Sequence, residues 1–258
     1  MKKKLKKLDH GLVLGSVIQA DSVSEIDIDL DKFEDAIPAE VLAHGYQPEI
    51  VHGKDDRQPV VNTQVSPYKA ICKLFITTAD GRRVSGTGYL TAANKVYTAG
   101  HCVYLHDYGG WVRSITVVPG MNGRARPYGA ITVTGGANFM STTGWTNNKS
   151  ARFDMGAIKL PRNVGHKDFI SPRLADVSTA EVVGYPGSRG SGIKQFTHSG
   201  PVRQRNGQYS YLIDTTKGQS GGPILTRSNR AVGIHNKGGS RNLGSDLYPE
   251  FINFVANM

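Results

Sequence analysis

The apolar residues of this 258-residue chain come in short runs separated by turn-forming residues, and that spacing restricts the fold more than any other feature. Ala70–Thr77, Val84–Leu90, Lys95–Thr98, Ser114–Val118 and Ala130–Thr134 each have strand length. A looser stretch rich in Gly, Asn and Thr, residues 135–150, reads as an inter-domain connection. Beyond it, Met155–Leu160, Ala180–Tyr185, Gly192–Thr197, Tyr209–Ile213, Pro223–Thr226 and Ala231–His235 give further strands, and Tyr248–Asn257 a closing helix. With 31 glycines to supply turns, this predicts an all-β chain of two packed barrels or a sandwich. No run of 18 apolar residues exists, so no helical membrane span is expected.

Charge divides the chain at one place. Residues 1–49 carry 6 Lys/Arg against 10 Asp/Glu, whereas the remainder carries 25 against 11. The acidic segment has no series of turns and strands and reads as a tail or prosegment. Its start, basic over Met1–Lys7 and mildly apolar over Gly11–Ile18, resembles a secretory signal interrupted by Asp9 and His10. The basic residues downstream are scattered, with no stripe interleaved with aromatics, so nucleic acid is not the expected partner. Cys72 and Cys102 have no zinc-like spacing, so no metal or other cofactor is expected. Whether the two cysteines form a bridge is left open.

Chemistry concentrates in three places. Gly218-Gln219-Ser220-Gly221-Gly222-Pro223 suits a tight turn that presents a hydroxyl, with the amides of Gly218 and Ser220 available to a developing oxyanion. Thr98-Ala99-Gly100-His101-Cys102 places a histidine at a strand exit. Phe153-Asp154-Met155-Gly156-Ala157-Ile158 places a carboxylate at a strand entrance. A hydroxyl is a poor nucleophile until an imidazole takes its proton, and a carboxylate fixes the imidazole tautomer. The order His101, Asp154, Ser220 is that of a chymotrypsin-type triad.

These motifs, TAGHC, FDMGAIKL and GQSGGP, resemble the signatures of trypsin-like serine proteases. Residues 50–258 more specifically resemble the bacterial glutamyl endopeptidases, through Ile50–Arg57, Val183–Gly187 and Gly233-Ile234-His235. The resemblance implies two six-stranded antiparallel β-barrels with the site between them, a C-terminal helix, and secretion as a precursor. The expected divisions are 1–49 as leader and propeptide, 50–145 as the first barrel, and 146–258 as the second barrel and helix. In many relatives the cysteine after the catalytic histidine pairs with one in a Cys-Thr-Gly context. Here that context reads Gly86-Thr87-Gly88, so the bridge does not carry over. Gln219 stands where trypsin has aspartate, which removes the ion pair between that aspartate and a new N-terminus.

Two specificity readings compete. Counting six residues back from Ser220 reaches Asp214, where trypsin carries the carboxylate that binds Lys or Arg. His235 instead lies where the glutamyl branch places the histidine that meets a substrate carboxylate, and Thr215 could add a hydrogen bond. Donors of this kind suit an anion, so the balance favours cleavage after Glu, then Asp. A non-catalytic protease-fold binding protein is the alternative from another class, and a basic surface-binding tail at Met1–Lys7 is compatible with either. The expected partners are protein or peptide substrates, and the expected state is a secreted monomer.

Overall fold

The computed structural model describes residues 49–258, together with the backbone of two short strands at Leu12–Leu14 and Ile37–Pro38. The remainder of the expected signal-like segment and most of the acidic segment lie outside the described residues. Two large, mainly antiparallel sheets hold most strands; Ile37–Pro38 pairs parallel to Arg83–Ala92, and Tyr104–Leu105 with Gly110–Trp111 forms a separate two-stranded sheet. The first large sheet runs in the order Leu12–Leu14, Phe139–Thr142, Gly156–Lys159, Lys95–Thr98, Arg83–Ala92, Ile71–Thr77, Ser114–Pro119, Ile131–Thr134. Among the described residues its end strands are not joined by a ladder, so it is a curled half-barrel. The second runs Thr179–Gly184, Pro223–Leu225, Ala231–Lys237, Asn242–Asp246, Gln208–Tyr211, Phe196–Arg205 and closes when the last pairs with the first. Gln58–Pro59 pairs with Phe196–Arg205 from outside this six-stranded barrel.

Both sheets have apolar interiors. In Ile71–Thr77 and Arg83–Ala92 most residues on both faces are buried. Val182, Tyr209, Tyr211, Ile224 and Val232 fill the closed barrel. Each such side chain contributes about 1.5–3 kcal/mol by leaving water. The C-terminal helix, Pro249–Ala256, starts with proline, whose missing N–H is no loss at a helix start. It turns Phe251 and Val255, four residues apart, inward, and Phe251 meets Tyr97 of the first sheet edge-on at 5.0 Å.

Four expectations change. Gly192–Thr197, expected as one strand, divides into the turn Gly190–Gly192 and the start of the longer strand Phe196–Arg205. The boundary at 145/146 assigns Gly156–Lys159 to the second barrel, but this strand pairs with Lys95–Thr98 and Phe139–Thr142 of the first sheet. Phe139–Thr142 is a buried strand inside the stretch read as a loose connection. Its polar residues are satisfied internally, since the Ser141 hydroxyl donates to the Met155 carbonyl at 2.8 Å and that of Thr142 to Phe153 at 2.6 Å. Asn242–Asp246 was likewise not expected as a strand, because its composition is polar. Buried hydroxyls and amides with partners look like loop residues in sequence alone.

The cysteines are free and buried. Cys72 lies opposite Gly88, whereas Cys102 Sγ sits over Gly86, one pleat further along the strand. Burial pushes the Cys72 thiol well above its ordinary range, which makes it inert. A Cβ at Gly86 would stand 2.8 Å from Cys102 Sγ, about the separation across a disulfide. Gly86→Cys is therefore expected to form a bridge to Cys102 under oxidising conditions. The product would show one free thiol after denaturation and a stabilisation of roughly 3 kcal/mol for a loop of this length. Three free thiols would contradict the geometry.

Candidate active site

Strand register brings the histidine and the aspartate together. Gly156 pairs with Thr98, so the exit of one strand lies beside the entrance of the other. His101 lies three residues past Thr98 in the turn Gly100–Cys102, and Asp154 two residues before Gly156, just after the turn Ala151–Phe153. Gly100 permits the approach, because a Cβ there would stand 2.7 Å from Trp145 and 2.8 Å from the Asp154 carboxylate. Asp154 Oδ1 accepts the His101 backbone N–H at 2.8 Å, and Oδ2 lies 2.7 Å from His101 Nδ1. Both side chains are fully buried. An ionised carboxylate only accepts, so Nδ1 carries a proton and Nε2 of the neutral ring is the basic nitrogen.

The closed barrel braces this pair. Asn236 Nδ2 donates to the carbonyls of Asp154 and Ala151, each at 3.2 Å, and Ser245 Oγ donates to Ala151 at 3.1 Å. Burial disfavours the imidazolium of His101, but the Asp154 charge, with Cys102 and the hydrogen bonds of both, outweighs it and holds the His101 pKa above the ordinary histidine value.

Ser220 lies in the turn that leads into Pro223–Leu225. Gly218 and Gly221 on either side have φ of +100° and +90°, a region that side chains avoid. The Ser220 carbonyl accepts from Thr87 N at 2.9 Å, which ties the turn to the first sheet. Gly221 N donates to His235 at 2.7 Å, which ties it to the second. Cys102 Sγ lies 3.8 Å from the Ser220 carbonyl, so the histidine turn and the serine turn run side by side.

Two peptide planes beside Ser220 are oriented through their carbonyls. Lys217 C=O accepts from Gly187 N at 2.7 Å, and Gln219 C=O accepts from Gly222 N at 2.9 Å. In a planar trans peptide the N–H points opposite to the C=O, so the amides of Gly218 and Ser220 are turned away from those two donors. Amides beside a serine hydroxyl can hold an oxyanion.

The other two residues singled out in sequence, Thr215 and His235, are also buried. Among the described residues the Thr215 hydroxyl has no hydrogen-bond partner. His235 has Tyr211 Oη at 2.6 Å from Nδ1, and its Nε2 lies 2.7 Å from Oε1 of Glu49. Ser220 Oγ donates to that same Glu49 oxygen at 2.8 Å. One carboxylate oxygen of the chain's own Glu49 thus joins the serine hydroxyl to His235. Asp214 points elsewhere. Its Oδ1 accepts from His52 N at 2.7 Å and its Oδ2 from Asp56 N at 3.0 Å, so both oxygens anchor the segment after Ile50. Asp56, His198 and Asp214 form a cation-sized cluster. Its inward atoms are already engaged, since His198 Nδ1 accepts from Asp214 N at 2.9 Å.

Sequence reading missed several residues of this site. Asn242 receives Ile50 N on Oδ1 at 3.0 Å and donates through Nδ2 to Ile50 C=O at 2.8 Å. Arg57 was noted only as part of a resembling segment. No local pattern marks the role of either residue, because Asn242 meets Ile50 and Arg57 meets Gln219 across more than 150 positions.

If His101 acts as a base, its neutral form is the active one, and a raised pKa delays activity to higher pH. The acid limb of kcat/KM is therefore expected above the ordinary imidazole range. Asp154→Asn should lower kcat and shift that limb to lower pH, as measured by peptide hydrolysis against pH. An unmoved limb would detach His101 from the rate.

Comparison with known proteins agrees with the fold and the motifs. The Trypsin family profile matches residues 60–258. The chain is 31% identical to a glutamyl endopeptidase of Bacillus licheniformis, over 82% of this chain and 70% of that protein. It is 35% identical to a Bacillus subtilis protein named an extracellular metalloprotease, over 81% of this chain and 69% of that one. A solved glutamyl endopeptidase structure superposes with a TM-score of 0.70 at 33% identity, covering 81% of this chain and 98% of that one. With a chymotrypsin fold and a family match over most of its length, the chain belongs to the trypsin family of serine proteases.

Proposed function

We propose that the chain is a secreted endopeptidase that cuts after glutamate, and after aspartate less well, and that it is made as a precursor. Ser220 is the nucleophile, His101 the general base and then acid, and Asp154 its orienting carboxylate. The amides of Gly218 and Ser220 stabilise the oxyanion. Ser220 Oγ attacks the carbonyl carbon while its proton passes to His101 Nε2. The tetrahedral intermediate collapses as His101 protonates the leaving amine, and water then hydrolyses the acyl-enzyme by the same route. The glycines around Ser220 and the buried His101–Asp154 pair support these roles.

One observation carries the specificity, namely the seat of Glu49 against His235 and Ser220. The Glu49 carboxylate brings one oxygen within 2.7 Å of His235 Nε2, so this histidine can face a glutamate side chain. A substrate would meet His235 without occupying the serine, and the Thr215 hydroxyl, with no hydrogen-bond partner among the described residues, is a further donor for its carboxylate. The engagement of Asp214 by the amides of His52 and Asp56 weighs against the Lys/Arg alternative. A complete triad weighs against a non-catalytic binding protein.

Glu49 also supports the precursor reading. Its carboxylate, not its carbonyl carbon, meets Ser220 Oγ, so this seat blocks the serine instead of presenting the Glu49–Ile50 bond to it. A hydroxyl donating its one proton to Glu49 does not donate it to His101. Cutting at Glu49–Ile50 therefore falls to another copy or to a similar enzyme. Cleavage would free an amine at Ile50, held by Asn242 near the pocket, where its positive charge favours an anionic substrate. The extracellular naming of one relative and the signal-like start support secretion.

Matched peptides differing only in Glu, Asp, Lys or Phe before the scissile bond test this reading, with Glu expected to be cut fastest. His235→Gln should reduce kcat/KM on the Glu peptide by at least about tenfold and leave the Phe peptide nearly unchanged. Preferential cleavage after Lys, or equal losses on both peptides, would contradict it. Ser220→Ala should abolish turnover on all four.

A further inference from the structure

Arg57 is only 2% exposed, and a guanidinium at that depth is tolerated only when its donors are met. Its five N–H groups have five acceptor contacts. Nε and Nη2 fork onto the two Asp55 oxygens at 2.9 and 2.7 Å, and Nη2 also reaches Ser188 Oγ at 3.3 Å. Nη1 donates to Thr216 Oγ1 and, at 2.9 Å, to Gln219 Oε1. The fork holds the Asp55 carboxyl down to about 2, so the pair stays charged across the neutral range. Gln219 Oε1 also accepts Thr216 N at 3.0 Å, and two donors on one atom fix its amide orientation.

These contacts surround the two oriented peptide planes. Thr216 and Gln219 bracket Lys217 and Gly218, and Gln219 supplies the carbonyl that turns the Ser220 amide. Ser188 adjoins Gly187, whose N–H holds the Lys217 carbonyl. Arg189 completes the connection by donating to the Arg57 carbonyl at 3.0 Å. One buried cation therefore joins residues 55–57, 187–189 and 216–219.

We infer that Arg57 is the positioning residue for the oxyanion-holding amides of Gly218 and Ser220, acting through Gln219 and Thr216. This rests on the serine-protease roles proposed above and goes beyond them. Because Arg57 is an internal side chain, its hold on the loop does not depend on a newly made N-terminus. The loop is held while Glu49 is still attached, and cutting unblocks the serine without having to assemble the amides.

The test uses purified active enzyme and the peptide preferred in the matched set, so an error in the glutamate assignment does not affect it. Arg57→Met is expected to lower kcat about 100-fold, the scale of losing one oxyanion donor, with little change in KM. Arg57→Lys, which keeps the charge without the fork, should fall between Arg57→Met and wild type. Inhibition by the corresponding peptide aldehyde, which forms a tetrahedral adduct on Ser220, should weaken in parallel with kcat/KM. In a Ser220→Ala background, the Kd of the uncut peptide should move less than about threefold. If Arg57→Met does not fold, Gln219→Leu removes the acceptor instead and should give the same split. Equal loss of peptide Kd and aldehyde affinity, or undiminished aldehyde affinity with a lowered melting temperature, would overturn the inference.

Discussion

The architecture depends on a contact that leaves no room for a side chain. A Cβ on Gly221 would lie 2.0 Å from the Thr87 carbonyl and 2.3 Å from Thr98 Oγ1. The serine turn of the closed barrel therefore lies directly against strands of the half-barrel, and the cleft forms where the two sheets meet. Thr87 serves this contact from both ends of its residue, donating from its backbone N–H to Ser220 and from its hydroxyl to the Gly218 carbonyl at 2.7 Å. Thr98 Oγ1 in turn donates to the Thr87 carbonyl at 2.8 Å, and His101 follows three residues later. Glycine at 221 is thus a condition for bringing the residues of the site together.

Around that contact, buried polar groups do most of the positioning. Asn236 and Ser245 brace the aspartate turn from the opposite sheet, Asn242 holds Ile50 by both backbone groups, and Arg57 latches the loop before Ser220. Buried groups of this kind are tolerated where they find partners. They also make the arrangement specific, since an apolar substitute would leave a donor or carbonyl without one.

This explains what was legible in sequence. The strands with apolar runs, the closing helix and the three motifs could be read, because periodicity and glycine turns are local signals. Phe139–Thr142 and Asn242–Asp246 could not, since their hydroxyls and amides resemble solvated loop residues until their distant partners are known. The two faces of Asp214 were ambiguous for the same reason. Position alone suggested a basic-residue pocket, and only the amides of His52 and Asp56 explain where its carboxylate points. Gly86 carried a correct negative signal, because the missing cysteine leaves Cys102 as a thiol.

One carboxylate oxygen of Glu49 joins Ser220 to His235, and the proposed glutamate specificity and precursor form both rest on that contact. The most direct measurement follows peptidase activity and the N-terminal sequence on the same sample as purified full-length chain matures. Activity should appear in step with a new N-terminus at Ile50, and the uncut fraction should stay inactive and react slowly with a fluorophosphonate at Ser220. Full activity with residues 1–49 still attached would contradict it.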